Sequence, residues 1–199
     1  MMRHRKSTAF VLLLSGSVLM IALTACGSGV HVVTPFSRSI NRTTVFMGDS
    51  ITAYWSLPYH NAGISSQTTD QMLDRFASDV LGHYYKRAVI LGGTNDTRLD
   101  SFVASDVIEN LSKMTAIAES AGIEVILCTV PPNFSDARSE VRVVDLNQQI
   151  VALTAAKGLL LVDYFSVLAG RPDYFIDGIH PNEFGYAAME TELGDKVTQ

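Results

Sequence analysis

Ser50, Gly63, Asn95, Asp177 and His180 are the residues of this chain whose types suit acyl transfer from an ester. That chemistry needs a nucleophile, a base to take its proton, a carboxylate to orient the base, and donors aimed at the developing oxyanion. Ser50, in "TTVFMGDSIT" (43–52), offers a hydroxyl just after an apolar run. His180 has a carboxylate beside it in the C-terminal loop, since Asp177 lies three residues earlier in "DGIH". A tight turn at Gly178 lets that carboxylate approach the far imidazole nitrogen. His31, His60 and His83 fall in an N-terminal tether, an early loop and a polar helix end. For the oxyanion the sequence offers the Ser50 N–H, the Gly63 N–H and the Asn95 side-chain amide. Glycine at 63 is expected to bring its N–H to the substrate without a Cβ in the way.

Each of these residues alone has an ordinary structural use. A serine before a helix commonly caps it, an asparagine at a strand end commonly makes a turn, and Asp-x-x-His also describes a cap with a surface histidine. Together they supply every part that the chemistry requires. Asp163, at the end of the last predicted strand, is a rival acid, ranked behind Asp177 because of the latter's spacing from His180. Asp49 reads as a loop organiser. A different use, binding a flavin or phosphate at the turn after the first strand, lacks the spaced glycines of phosphate loops and leaves His180 without a task.

These residues need a frame, and the apolar pattern predicts one. "TVFM" (44–47), "AVILGG" (88–93), "EVILCTV" (124–130) and "LLLVDY" (159–164) are apolar without polar alternation, as in parallel strands covered on both faces; a weaker strand falls at 59–62. Helical stripes run through 67–81 (Met72, Phe76, Val80), 101–121 (Val103, Val107, Leu111, Met114) and 139–157 (Val143, Leu146, Ile150), with a last helix at 182–193. Strand then helix, repeated, predicts an α/β fold with a parallel sheet and helices on both sides. In such sheets a ligand site lies beyond the carboxyl ends of the strands, where Ser50, Gly63 and Asn95 fall.

Within "GDSIT", "NAGISSQTT", "GGTND" and "DGIHPNEFGY", Ser50, Gly63, Asn95 and His180 stand in the order of four signature residues. The chain thereby resembles the SGNH hydrolases, also called GDSL esterases and lipases, over roughly residues 44–190. The resemblance implies a flavodoxin-like three-layer α/β/α sandwich with about five parallel strands. It also implies a serine esterase with no metal and no organic cofactor. Where the family often has leucine after the serine this chain has Ile51, which keeps an apolar anchor. Tyr54, Trp55 and Tyr59 follow the serine, either as a sugar-stacking or acyl-binding wall or as packing between helix and sheet. With no large insertion for a lid, a small or accessible ester is expected. It is a short acyl or acetyl ester, of carbohydrate for example, or a lysophospholipid. Acyl transfer, and a non-catalytic domain that binds glycan, remain alternatives on the same fold.

The 199 residues suffice for one domain, and 47% hydrophobic content with a mean hydropathy of +0.20 owes much to the first 25 residues. Arg3, Arg5 and Lys6 precede the apolar stretch "AFVLLLSGSVLMIALTA", an export signal. Leu23-Thr24-Ala25-Cys26 resembles a bacterial lipobox, which implies cleavage at residue 25 and lipidation of Cys26. The expected organisation is a signal peptide at 1–25, a lipidated cysteine and flexible tether at 26–42, and a hydrolase domain at 43–199. Such acyl chains hold a domain to a membrane surface, here on the exported side. Cys128 is then the one remaining cysteine, so no internal disulfide forms. Without the three basic signal residues, 12 basic side chains face 20 acidic ones, or −8, and no clustered basic face suggests a nucleic-acid partner. Oligomeric state is not legible.

Overall fold

The computed structural model describes residues 41–197, so the signal segment, Cys26 and the tether up to residue 40 lie outside the described residues. Five strands form one parallel sheet: β1 (Asn41–Gly48), β2 (Tyr59–Gly63), β3 (Arg87–Leu91), β4 (Glu124–Cys128) and β5 (Leu160–Val162). Their order is β2-β1-β3-β4-β5. The helices are α1 (Ser50–Ala53), α2 (Thr69–Val80), α3 (Ala104–Ser120), α4 (Ala137–Lys157), α5 (Tyr164–Leu168) and α6 (Glu183–Leu193). Among the described residues no helix is long and apolar enough to cross a membrane.

Alternation along the strands divides the core in two. Val45 and Met47 of β1, Ala88 and Ile90 of β3, and Val125 and Leu127 of β4 point to one face. There they meet Met72, Phe76 and Val80 of α2, Leu111 and Met114 of α3, and Leu146 and Ile150 of α4. Phe46, Val89, Ile126 and Val162 point to the other face and pack with Ile51 of α1, Leu168 of α5 and Met189 and Leu193 of α6. With helices on both faces, the central strands β1, β3 and β4 have no side left for water, which is why they read as continuous apolar runs, whereas the edge strand β2 keeps His60 and Asn61 exposed. Cys128, at the end of β4, is buried, and burial pushes its thiol well up.

Several boundaries differ from the sequence expectation: β3 and β4 stop at Leu91 and Cys128 rather than at 93 and 130, and α3 begins at Ala104 rather than at 101. β1 starts at Asn41, inside the segment assigned to the tether, where it pairs with Tyr59 of β2. The last strand stops at Val162 rather than running to Tyr164, because Asp163 caps α5 by accepting the Ser166 N–H at 3.1 Å. The Thr129 hydroxyl donates to the same carboxylate oxygen at 2.9 Å.

Candidate active site

β1 has neighbours on both sides that leave it in different chain directions, so the crevice opens where the strand order reverses. Ser50 follows β1, Gly63 ends β2 and Asn95 comes four residues after β3, all at the carboxyl end of the sheet. Ser50 opens α1, and the cap belongs to its neighbour: Asp49 Oδ1 accepts the Ile51 N–H at 2.9 Å. The serine hydroxyl is thereby left for a distant partner. That partner is His180, whose Nε2 lies 2.9 Å from Ser50 Oγ across 130 residues of chain.

The His180 loop is held from several sides. Asp177 Oδ1 accepts the Ile179 N–H at 3.0 Å and the His180 N–H at 2.8 Å, while its Oδ2 lies 2.7 Å from His180 Nδ1. Gly178 turns the chain with φ of +84°, and its carbonyl accepts the Phe134 N–H at 2.8 Å. The Ile176 N–H donates to the His180 carbonyl at 2.8 Å, closing the loop on itself. Partial desolvation raises the Asp177 carboxyl, but the His180 N–H, the imidazole and the Ile179 N–H outweigh it, and the net value falls to about 2. Asp177 is therefore ionised at neutral pH and can only accept. Nδ1 is therefore the donor toward Asp177, and Nε2 is the ring nitrogen that faces the Ser50 hydroxyl.

The rival acid is elsewhere: Asp163 is the α5 cap and faces Thr129 and Ser166. His60 lies against Tyr85, and His83 Nε2 lies 3.1 Å from the Ser78 carbonyl. Among the described residues no cluster of three or more His, Cys, Asp or Glu side chains is placed to hold a metal ion.

The donors are less simply arranged. One hydrogen of Asn95 Nδ2 goes to the Gln67 carbonyl at 3.0 Å, which leaves the second. The Gly63 N–H donates to Asn61 Oδ1 at 2.9 Å, and Asn61 Nδ2 in turn donates to the carbonyls of Thr52 and Trp55 at 2.7 and 3.1 Å. The physical reason for glycine at 63 also differs from the expectation. A Cβ there would stand 2.3 Å from the Ala53 nitrogen, so the absent side chain lets the end of β2 press against α1.

Three supporting residues were not identified from sequence. Asn61 clamps the end of α1 to the Gly63 turn, as above. Arg75 of α2 donates to the carbonyls of Gly48 at 3.0 Å and Ala62 at 2.8 Å, one residue before Asp49 and Gly63 respectively. Asp96 accepts the Thr69 N–H and hydroxyl, tying the start of α2 to the turn that carries Asn95. The signals were present as an asparagine two residues before the motif glycine, an arginine between Met72 and Phe76, and an acid beside Asn95. None has a type or spacing that announces such long-range partners. The three aromatics after the serine separate by burial. Trp55 is 4% exposed and packs on Phe46, Tyr164 and Tyr186, and Tyr59 packs on Phe46, whereas Tyr54 is 61% exposed with its ring 5.4 Å from that of His180.

The sequence profile of the GDSL-like lipase/acylhydrolase family matches residues 41–188, the whole span from β1 into α6. The chain belongs to this family. As a GDSL-like lipase/acylhydrolase it is a hydrolase acting on ester bonds. A GDSL-like lipase from Bacteroides thetaiotaomicron is similar at 29% identity and a TM-score of 0.73, covering 79% of this chain and 88% of that one. The lipase/acylhydrolase from Enterococcus faecalis is similar at 26% identity and a TM-score of 0.69, covering 78% and 95%. A catalytic mutant of an acetylxylan esterase from Geobacillus stearothermophilus, at 16% identity and a TM-score of 0.65 over 77% and 94%, shares the fold. No curated protein matches the sequence.

Asp49, next to the serine, makes a stability prediction for this GDSL-like domain. Its carboxyl is wholly buried, and among the described residues Oδ2 has no hydrogen-bond partner. Desolvation raises its pKa to about 6, against the opposing Ile51 N–H and with the Asp96 charge adding to the rise. The folded state thus binds this proton more tightly than the unfolded chain does. The stabilisation is full below the unfolded value of 3.8 and is lost as pH rises through about 6. At pH 7.5 the cost of holding a buried carboxylate is on the order of 3 kcal/mol. Asp49→Asn keeps the oxygen that caps Ile51, so it is expected to raise Tm at pH 7.5 by several degrees. That gain should shrink to nothing by pH 4. A variant no more stable than the parent at pH 7.5 would show that Asp49 carries no such burden.

Proposed function

We propose that the chain is a serine esterase that cleaves short acyl esters through an acyl-enzyme, and that it works as an exported lipoprotein held to a membrane through Cys26. The observation that carries the mechanism is the continuous contact from Ser50 Oγ to His180 Nε2 and from His180 Nδ1 to Asp177 Oδ2, at 2.9 and 2.7 Å. In the proposed reaction Ser50 Oγ bonds to the carbonyl carbon while its proton passes to Nε2, and Asp177 supports the resulting imidazolium. The oxyanion takes hydrogen bonds from the Ser50 N–H, the Gly63 N–H and Asn95. Collapse of the adduct breaks the bond to the alcohol, which leaves with the proton from Nε2. Water then repeats the sequence, giving its proton to Nε2 and its hydroxyl to the acyl carbon, and Ser50 regains its proton.

The short acyl group is supported by the groove on the Asn95 side. Its volume is about 490 Å³, and it is lined by Ser66, Thr68, Arg98, Ser135 and Ser139 with Leu99 as its apolar member. A long chain laid there would forgo about 0.8 kcal/mol for each methylene that stays wet. The anchor is supported by the lipobox-like Leu23-Thr24-Ala25-Cys26 after a basic and apolar leader.

Two measurements test this reading. A fluorophosphonate is expected to add one mass increment per chain, on the peptide containing Ser50, and an adduct on another residue would overturn the nucleophile assignment. Across p-nitrophenyl acetate, butyrate and octanoate, kcat/KM is expected to fall at least tenfold from first to last. A rate that climbs with chain length would reject the short acyl group.

A further inference from the structure

At the amino end of the sheet, opposite the catalytic crevice, the loop between α2 and β3 sends its two tyrosines to different places. Tyr85 is packed between two imidazoles, its ring centroid 5.3 Å from that of His60 and 5.5 Å from that of His83. Tyr84 stands out from the same loop, 95% exposed. Its φ of +61° lies in the left-handed region, which a bulky residue seldom occupies. Neither core packing nor the proposed reaction accounts for a large ring held outward in this way.

Exposed cations flank it. The Lys86 N–H donates to the Thr43 carbonyl at 2.8 Å, which sets Lys86 beside Arg42 at the start of β1. Both residues are exposed, and among the described residues neither makes an ion pair. The nearby acids are already matched, since Asp79 pairs with Arg75 and Glu124 with Arg87. Further along this end, Glu119 and Lys157, in the last turns of α3 and α4, carry opposite charges. The corner around Tyr84 therefore combines an aromatic ring with net positive charge.

Its position along the chain decides what it meets. β1 begins at Asn41, and fourteen residues, 27–40, join it to Cys26. Even fully extended, that length of chain reaches no further than about 50 Å. A lipid on Cys26 would keep this corner near a bilayer at all times and make its docking an intramolecular event. One ring and two cations are too few to hold a free protein on a membrane, yet they suffice for one that cannot leave.

We propose that the corner of Arg42, Tyr84 and Lys86 rests on the anionic surface of the bilayer to which Cys26 is attached. The inference rests on the lipoprotein reading above and is independent of the esterase reading. Tyrosine suits the boundary between headgroups and acyl chains, where its ring meets apolar surroundings and its hydroxyl stays wet. Arg42 and Lys86 meet the lipid phosphates. β1 runs eight residues from this corner to Gly48, about 25 Å, so the docked domain holds Ser50 well clear of the bilayer. Any ester that reaches Ser50 then comes from the aqueous side rather than from the anchoring membrane.

The test uses the acylated chain, purified from membranes and reconstituted in vesicles of phosphatidylglycerol and phosphatidylethanolamine with brominated acyl chains. Bromine quenches tryptophan only at close range, and the parent's one tryptophan, Trp55, is buried. Tyr84→Trp is expected to lose about half of its added emission. Ile176→Trp, exposed beside His180 at the other end, is expected to lose almost none. Salt at about 0.5 M should reduce the quenching at position 84 about twofold, and so should phosphatidylcholine vesicles or Arg42→Glu combined with Lys86→Glu. Stronger quenching of Ile176→Trp than of Tyr84→Trp, or none in either, overturns the proposal. Quenching at 84 that ignores salt, lipid charge and both charge reversals overturns the choice of an anionic surface. Mass spectrometry of the N-terminal peptide keeps the two readings apart: a Cys26 without acyl groups overturns the anchor, and this proposal with it.

Discussion

Replacing Ser50 with alanine is expected to lower kcat/KM on p-nitrophenyl acetate by at least ~10³-fold while leaving the folded domain intact. The loss is large because the proposed acyl-enzyme has no other attacking atom: removing Oγ leaves His180 with a base's position and nothing to deprotonate except water. What remains comes from donors that still polarise a bound carbonyl. Stability is expected to change little. The serine is not the helix cap, since Asp49 holds that place, and the bond given up to His180 Nε2 is a single contact worth about 1 kcal/mol. His180→Ala should be comparably inactive, because members of a unit that acts together fail together. Steady-state kinetics beside thermal unfolding check both parts, and a Ser50→Ala protein keeping a tenth of the parental rate would end the assignment.

The second large effect is expected at Asp177. Asp177→Asn presents an amide where His180 Nδ1 now meets a carboxylate, so the imidazole loses the partner that keeps its proton on Nδ1. The proton then moves toward Nε2, where it points at Ser50 and blocks proton transfer. A fall of ~10²–10⁴ in kcat is expected, with KM changed little. Asp163→Ala makes the control. It removes the α5 cap and should cost about 1 kcal/mol of stability, with kcat within a few-fold of the parent. A dead Asp163→Ala beside a fully active Asp177→Asn would reverse the choice of acid. The Asp177 contact also carries a small pH signature. Its lowered pKa favours folding above the unfolded value of 3.8, and this is lost as pH falls toward about 2. Half of the side chain is exposed, so solvent screening keeps that contribution minor.

The central strands were legible because apolar side chains cover them on both faces, and β2, with His60 and Asn61 exposed, was the weakest to read. Strands covered on both faces, such as Val125 to Cys128, cannot alternate, and their runs stand out from the amphipathic helices between them. α5 was not legible, being five residues long with no room for a helical period, and its cap Asp163 resembled a catalytic acid instead. Tyr54 and Trp55 are adjacent in sequence and opposite in fate, since burial depends on the approach of Phe46, Tyr164 and Tyr186 from distant segments. The pairing of Ser50 with His180 could be anticipated from chemical need. The partners of Arg75 could not, because a guanidinium that holds two main-chain carbonyls reads in sequence like any helical arginine.

The Asn61 clamp gives the Gly63 N–H a partner before any substrate arrives. In the proposed mechanism this donor does not gain a hydrogen bond but exchanges one. A neutral ester carbonyl is an acceptor much like the Asn61 amide oxygen, so the exchange brings little on binding. The oxyanion is a charged acceptor and roughly twice as strong. The resting bond therefore works as a reference level, subtracted equally from ground state and transition state, and what survives the subtraction is preference for developed charge. A donor that is already satisfied thus gives up uniform binding and keeps its whole preference for the transition state.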